Sequence, residues 1–164
     1  MDAFQGLEQT YLPQVEKLLH LTRLELTLVT QGTRQDPAKI SCFLSSLVGL
    51  QHLHLLFAMG EIEVQDCLNL CQLSRLTSLR LPGAHQGVGD TVAVALASSM
   101  PLLKHLGMPN CDISSVTVIP ALARLRHLTQ LVLSHNSFGG VLVSCKALMQ
   151  QLRDPNWPKL VVEW

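Results

Sequence analysis

One spacing, L-x-x-L-x-x-L-x-L, recurs along this chain and constrains its fold more than any other feature. It runs through Leu18, Leu21, Leu24 and Leu26, and returns at Leu47, Leu50, Leu53 and Leu55. The third copy is Leu73, Leu76, Leu79 and Leu81. The fourth is Met100, Leu103, Leu106 and Met108, and the fifth is Leu125, Leu128, Leu131 and Leu133. A degraded sixth copy reads Trp157, Leu160 and Val162. The third landmarks stand at 24, 53, 79, 106, 131 and 160, so neighbouring copies are 25–29 residues apart. Such a period marks stacked units, because one unit cannot bury its own apolar face.

The L-x-L end of each copy alternates inward and outward, as a strand does. The linkers carry helical stripes. Asp36-Pro37 offers an N-cap and a first-turn proline before Ile40, Phe43, Leu44 and Leu47. Val64, Cys67, Leu68 and Cys71 repeat the i, i+3, i+4, i+7 pattern. Asp90 is placed to cap a helix burying Val92, Ala95, Leu96 and Met100. A helix near Thr117 takes Pro120 in its first turn, and Cys145, Leu148, Met149 and Leu152 form a last stripe. Strands alternating with helices predict an α/β solenoid: a curved parallel sheet on the concave side, helices on the convex side, five to six repeats. Residues 1–164 form one domain. Leu7, Tyr11, Val15 and Leu18 outline a capping helix within 1–17, interrupted by Pro13. Residues 154–164 form the last repeat, expected to be uncapped and so to offer its strand for end-to-end contact.

The fifth copy continues to Asn136 and Phe138, and the fourth to Cys111 and Ile113. With these additions the chain resembles the leucine-rich-repeat superfamily over nearly its whole length. The repeat length resembles the ribonuclease-inhibitor-like class, which implies true helices after each strand. The first three copies depart from the Asn/Cys position with Val29, Ala58 and Ala84. The resemblance implies that Leu24, Leu26, Leu53, Leu55, Leu79, Leu81, Leu106, Met108, Cys111, Leu131, Leu133 and Asn136 are structural positions.

Composition agrees with a packed interaction domain. The chain has 33 leucines, 12 Lys+Arg and 12 Asp+Glu, for a formal net charge of zero. Zero net charge without a charge run argues against nucleic-acid binding. Residues 40–60 contain no Asp, Glu, Lys or Arg, but Gln51, His52 and His54 inside them argue against a membrane span. The start lacks the pattern of a secretory signal, and five cysteines is an odd number. An intracellular, cytoplasmic setting is therefore expected.

The residues between the leucines form the candidate recognition surface. Arg23, His52, Ser78, His105, Gln130 and Lys159 make one row across the sheet. Glu25, His54, Arg80, Gly107, Val132 and Val161 make the next, and Thr27, Leu56, Pro82, Pro109, Ser134 and Glu163 a third. Strands about 4.8 Å apart make His54 and Arg80 lateral neighbours. Arg23, Glu25, His52, His54, Leu56, Ser78, Arg80, His105 and Gln130 are the candidate partner-binding residues, with His52, His54, Arg80, His105 and Leu56 at the centre. One arginine, several imidazoles and an apolar residue suit a mildly acidic protein surface.

Catalysis, cofactors and metals find little in the sequence. There is no G-x-S-x-G, P-loop or G-x-G-x-x-G, and the run Gly83–Asp90 lacks the Lys-Ser/Thr ending of a phosphate loop. His52 and His54 share a face but have no convergent carboxylate or thiol. Cys67 and Cys71 fall on an apolar stripe, where buried cysteine acts as a small hydrophobe. The expected function is a non-catalytic scaffold or adaptor binding another protein through the concave face. The alternatives are a GTPase regulator resembling Ran GTPase activators, a substrate-recognition arm of a ubiquitin ligase, or a segment of a longer repeat protein. Neither an acidic tail nor a catalytic arginine matching such activators is found.

Overall fold

A computed structural model describes residues 20–29, 44–59, 64–81, 88–138, 147 and 161–164. Six strands form one parallel sheet in sequence order. They are β1 (Arg23–Val29), β2 (His52–Met59), β3 (Ser78–Arg80), β4 (His105–Gly107), β5 (Gln130–Val132) and β6 (Val161–Glu163). Helices α1 (Val64–Asn69), α2 (Gly89–Ser99) and α3 (Val118–Leu122) fill linkers between strands. The fold is an α/β leucine-rich-repeat solenoid. The expected capping helix in 1–17, the Cys145 stripe and most of the Asp36 helix lie outside the described residues.

The inward leucines stack in register. Leu24 pairs with Leu53, Leu53 with Leu79, Leu79 with Leu106, and Leu106 with Leu131. All five are at most 3% exposed, as are Leu26, Leu55, Leu81, Met108 and Leu133 behind them. Removing each leucine from water contributes about 1.5–3 kcal/mol. That repeated gain is why the spacing dominates the sequence. A second column holds the chain before each strand: Gln51 N, Thr77 N, Lys104 N and Thr129 N donate to Thr22 O, Gln51 O, Thr77 O and Lys104 O. The Thr77 and Thr129 hydroxyls add bonds to Gln51 O and Lys104 O.

Beyond the strands, Asn136 joins two repeats. Its Oδ1 accepts from Cys111 N (2.8 Å) and Ile113 N (3.0 Å), and its Nδ2 donates to Met108 O (2.7 Å) and Leu133 O (2.8 Å). Cys111 fills the matching place one repeat earlier, where its thiol points to Leu81 O (3.7 Å) and Pro109 O (3.4 Å). The turns just before these residues put Asn110 and His135 at φ 54 and φ 61. These left-handed residues follow β4 and β5, each three residues long. In the first two repeats Val29 and Ala58 fall inside the longer strands β1 and β2 instead. Val29 pairs with Met59 there, and the register shift before it leaves Ala58 without a strand partner on β1.

Four local expectations need correction. The sixth copy is shifted by two residues: Val162, not Leu160, pairs with Leu131, and Val161 lies beside Gln130. Trp164 then packs on the core and meets Phe138 edge to face at 5.7 Å. Helix α1 tightens into a 3-10 turn at Leu70–Gln72, which brings Leu70 to 0% exposure and leaves Val64 37% exposed. In α2 the buried face is Val92, Ala93, Leu96 and Ala97, so Ala93 and Ala97 take the place expected of Ala95. Asp90 does not cap this helix, whose N-cap is Val88. Its carboxylate instead accepts from Ser114 N (3.0 Å), Ser115 N (3.2 Å) and the Ser114 hydroxyl (3.3 Å). The loop of the next repeat has amide donors to satisfy, and Asp90 reaches them. Pro120 lies in the first turn of α3, after its N-cap Thr117, as the sequence predicts.

Candidate functional site

With Leu24, Leu53, Leu79, Leu106 and Leu131 packed on one side, the residues on either side of each of them face outward from the sheet. The registers place them in two rows. Glu25, His54, Arg80, Gly107 and Val132 are successive lateral neighbours, continued by Glu163. Arg23, His52, Ser78, His105 and Gln130 form the second row, continued by Val161. The expected neighbours His54 and Arg80 are thus adjacent. Leu56 pairs with Thr27 further along β2. Lys159 and Pro82 lie outside the described residues.

The structure gathers six candidates into one shallow depression over β1, β2 and β3. Arg23 and Glu25 stand at one side, His52 and His54 in the middle, and Ser78 and Arg80 at the other. Leu24 and Leu53 also contribute to its lining. Leu56, His105 and Gln130 do not line it. His105 is separated from His52 by Ser78, and Gln130 is turned to Glu163, its Nε2 donating to Oε1 at 3.1 Å. The grouping is therefore displaced toward β1 from the centre expected from sequence.

His54 is a half-buried polar group of the depression. Its Nδ1 lies 3.3 Å from Glu25 Oε1, with the side chains 28% and 43% exposed. A pair this exposed contributes at most about 1 kcal/mol. The Nε2 atom is buried and has no hydrogen-bond partner among the described residues. Burial is the largest influence on this imidazole, and it lowers the pKa below the ordinary 6.5. The Glu25 carboxylate and its hydrogen bond oppose burial, while the Arg80 and Arg23 charges reinforce it.

Arg80 is exposed, and its stem leans over β4. Gly107, its lateral neighbour, is buried although it faces outward. A Cβ built on Gly107 would lie 3.1 Å from Arg80 Cγ and 3.6 Å from Arg80 Cβ. The missing side chain at 107 thus gives Arg80 a seat. The sequence contained the signal, a glycine beside an arginine in an outward row, but its use depends on which way Arg80 leans.

The other candidate chemistry is quiet. Cys67 is fully buried, and desolvation pushes its thiol pKa up to about 12. Cys71 is half-buried, and burial raises its pKa as well. Among the described residues no three His, Cys, Asp or Glu side chains converge as a metal site. Among the same residues no helix is long and apolar enough to cross a membrane.

No protein-family model and no curated protein matches the chain. A solved structure that does match is an internalin (inlF) from Listeria monocytogenes, at 16% identity and a TM-score of 0.45. The match covers 91% of this chain and 49% of the internalin chain, so this chain spans about half of its length.

Proposed function

We propose that this chain is a non-catalytic protein-interaction module of the ribonuclease-inhibitor-like class, working in the cytoplasm, and that its partner docks on the open sheet face. The observation that carries this is the depression over β1–β3, where Arg23, Glu25, His52, His54, Ser78 and Arg80 converge on a hydrogen-bonded sheet. A surface fixed by the strand ladder loses little conformational entropy on binding. Central residues of such a patch dominate the energetics, and arginine is prominent among them.

A photo-crosslinking amino acid at Ser78, with a control at Thr91 on α2, tests the assignment. The Ser78 probe captures a partner that the Thr91 probe does not, and Arg80→Glu removes the capture while the chain stays folded. The same captured set from both probes, or capture that survives Arg80→Glu, rejects the sheet face as the working surface.

A further inference from the structure

The depression has an uneven charge balance. Arg23 and Arg80 stand on opposite sides of it, and neither makes an ion pair with an acidic side chain among the described residues. The carboxylate in it, Glu25, is already turned to His54 Nδ1. His54 keeps a second nitrogen that is buried without a hydrogen-bond partner among the described residues, an arrangement that calls for an explanation. A negative charge over β2, between the two guanidinium groups, would complement this arrangement. We propose that the depression receives one carboxylate of an acidic protein segment, held chiefly by Arg80, and that His54 takes up a proton as the carboxylate docks. This rests on the sheet-face assignment and adds to it the chemistry of the occupant.

The proton follows from the groups around His54. From β1 it meets Glu25 and Arg23, from β3 Arg80, and on its own strand His52 is the next residue on the same face. In the free protein burial and two cations outweigh one carboxylate, so the neutral imidazole is favoured more than in solution. A second carboxylate reverses the balance by adding an opposite charge to the same depression. The resulting imidazolium places its positive charge beneath the docked carboxylate and strengthens the Nδ1–H contact with Glu25, and Nε2, being buried, need not touch the ligand. Planar guanidinium geometry suits Arg80 to a carboxylate better than lysine would.

Imidazole NMR on the full chain tests this with a pentaglutamate peptide as the probe. Pentalysine and inorganic phosphate serve as controls, all at matched ionic strength. The expected result is a saturable shift of the His54 ring resonances with pentaglutamate alone, toward the imidazolium position. Affinity should rise from about pH 7.5 to about pH 6, by up to tenfold per unit, the limit for uptake of one proton. Arg80→Gln, at an exposed position, should weaken the titration about tenfold or more without changing the fold. The proposal is overturned by an unsaturable shift, by an equal response to phosphate, by pH-independent affinity, or by an unaffected Arg80→Gln protein. Ser78 crosslinking separates the two claims. If a partner is captured there while pentaglutamate fails, the carboxylate chemistry falls and the sheet face stands. If crosslinking fails as well, both fall.

Discussion

The Arg80 side chain lies across Gly107, so close that a Cβ on residue 107 would stand 3.1 Å from Arg80 Cγ. No positive φ is involved at Gly107. What the glycine supplies is therefore space on the outward face of β4, and that space decides where the cation of the site rests.

Gly107→Val should consequently change the site more than the fold. Valine suits a strand, and Arg80 can give way because its stem is flexible, so the stability change should stay within about 1 kcal/mol. The displaced guanidinium should swing toward β2. Since Arg80 already opposes protonation of His54, the His54 midpoint should fall further. An NMR pH titration of wild type and variant reads this directly. A His54 midpoint that rises or stays put would show that Arg80 does not use Gly107 as its seat.

Asn136 should be the most sensitive polar residue outside the leucine columns. It satisfies two amides and two carbonyls from two successive repeats. Asn136→Ala leaves all four without that partner, and each one that water cannot reach costs about 1–3 kcal/mol. A loss of at least about 2 kcal/mol in urea unfolding is expected. Asn136→Asp keeps the acceptor for Cys111 N and Ile113 N but turns a second acceptor toward Met108 O and Leu133 O, so it should destabilise the fold as well. Equal stability of Asn136→Ala and wild type would mean that the turn holds without the side chain.

The repeat was legible in the sequence because each inward leucine reports the same packing demand, and Leu24, Leu53, Leu79, Leu106 and Leu131 indeed share one register. The sixth copy was not legible, for a physical reason. Leu160, Val162 and Trp164 are all apolar on alternate positions, so two frames satisfy the L-x-L end of the pattern, and Trp157 with Leu160 favours the frame that the sheet does not use. Contact of Trp164 with Phe138 accompanies the second frame, and that contact joins residues far apart in sequence. The candidate site was legible as rows and less so as a place. Alternation gave Glu25, His54 and Arg80 as outward residues. The lean of Arg80 over Gly107, the turn of Gln130 toward Glu163 and the separation of His105 are choices made between side chains in space.

Thiol reactivity should follow burial. Cys67 is fully buried with a pKa near 12, and Cys71 is half-buried with a smaller push upward. The thiolate is the reacting form, so both are slow at neutral pH and Cys67 is the slower. Peptide mass mapping after limited alkylation of the native protein should find label at Cys71 before Cys67. Denaturant should erase the difference. Faster labelling of Cys67 in the native state would contradict its place on the buried face of α1.

Acid sensitivity should carry the signature of His54. Its pKa in the folded protein lies below the ordinary 6.5 of the unfolded chain. Between those two values the unfolded state binds more protons, so unfolding stability rises with pH across that window. The contribution is fully present above about pH 7 and is lost as pH falls through 6.5 toward the folded midpoint. His54→Gln removes this one titration while leaving the other histidines to titrate as before. The difference in unfolding free energy between wild type and His54→Gln should therefore be flat above about pH 7 and turn against wild type on acidification. A difference that favours wild type as pH falls would mean that the Glu25 carboxylate, 3.3 Å from Nδ1, outweighs burial and the two arginines.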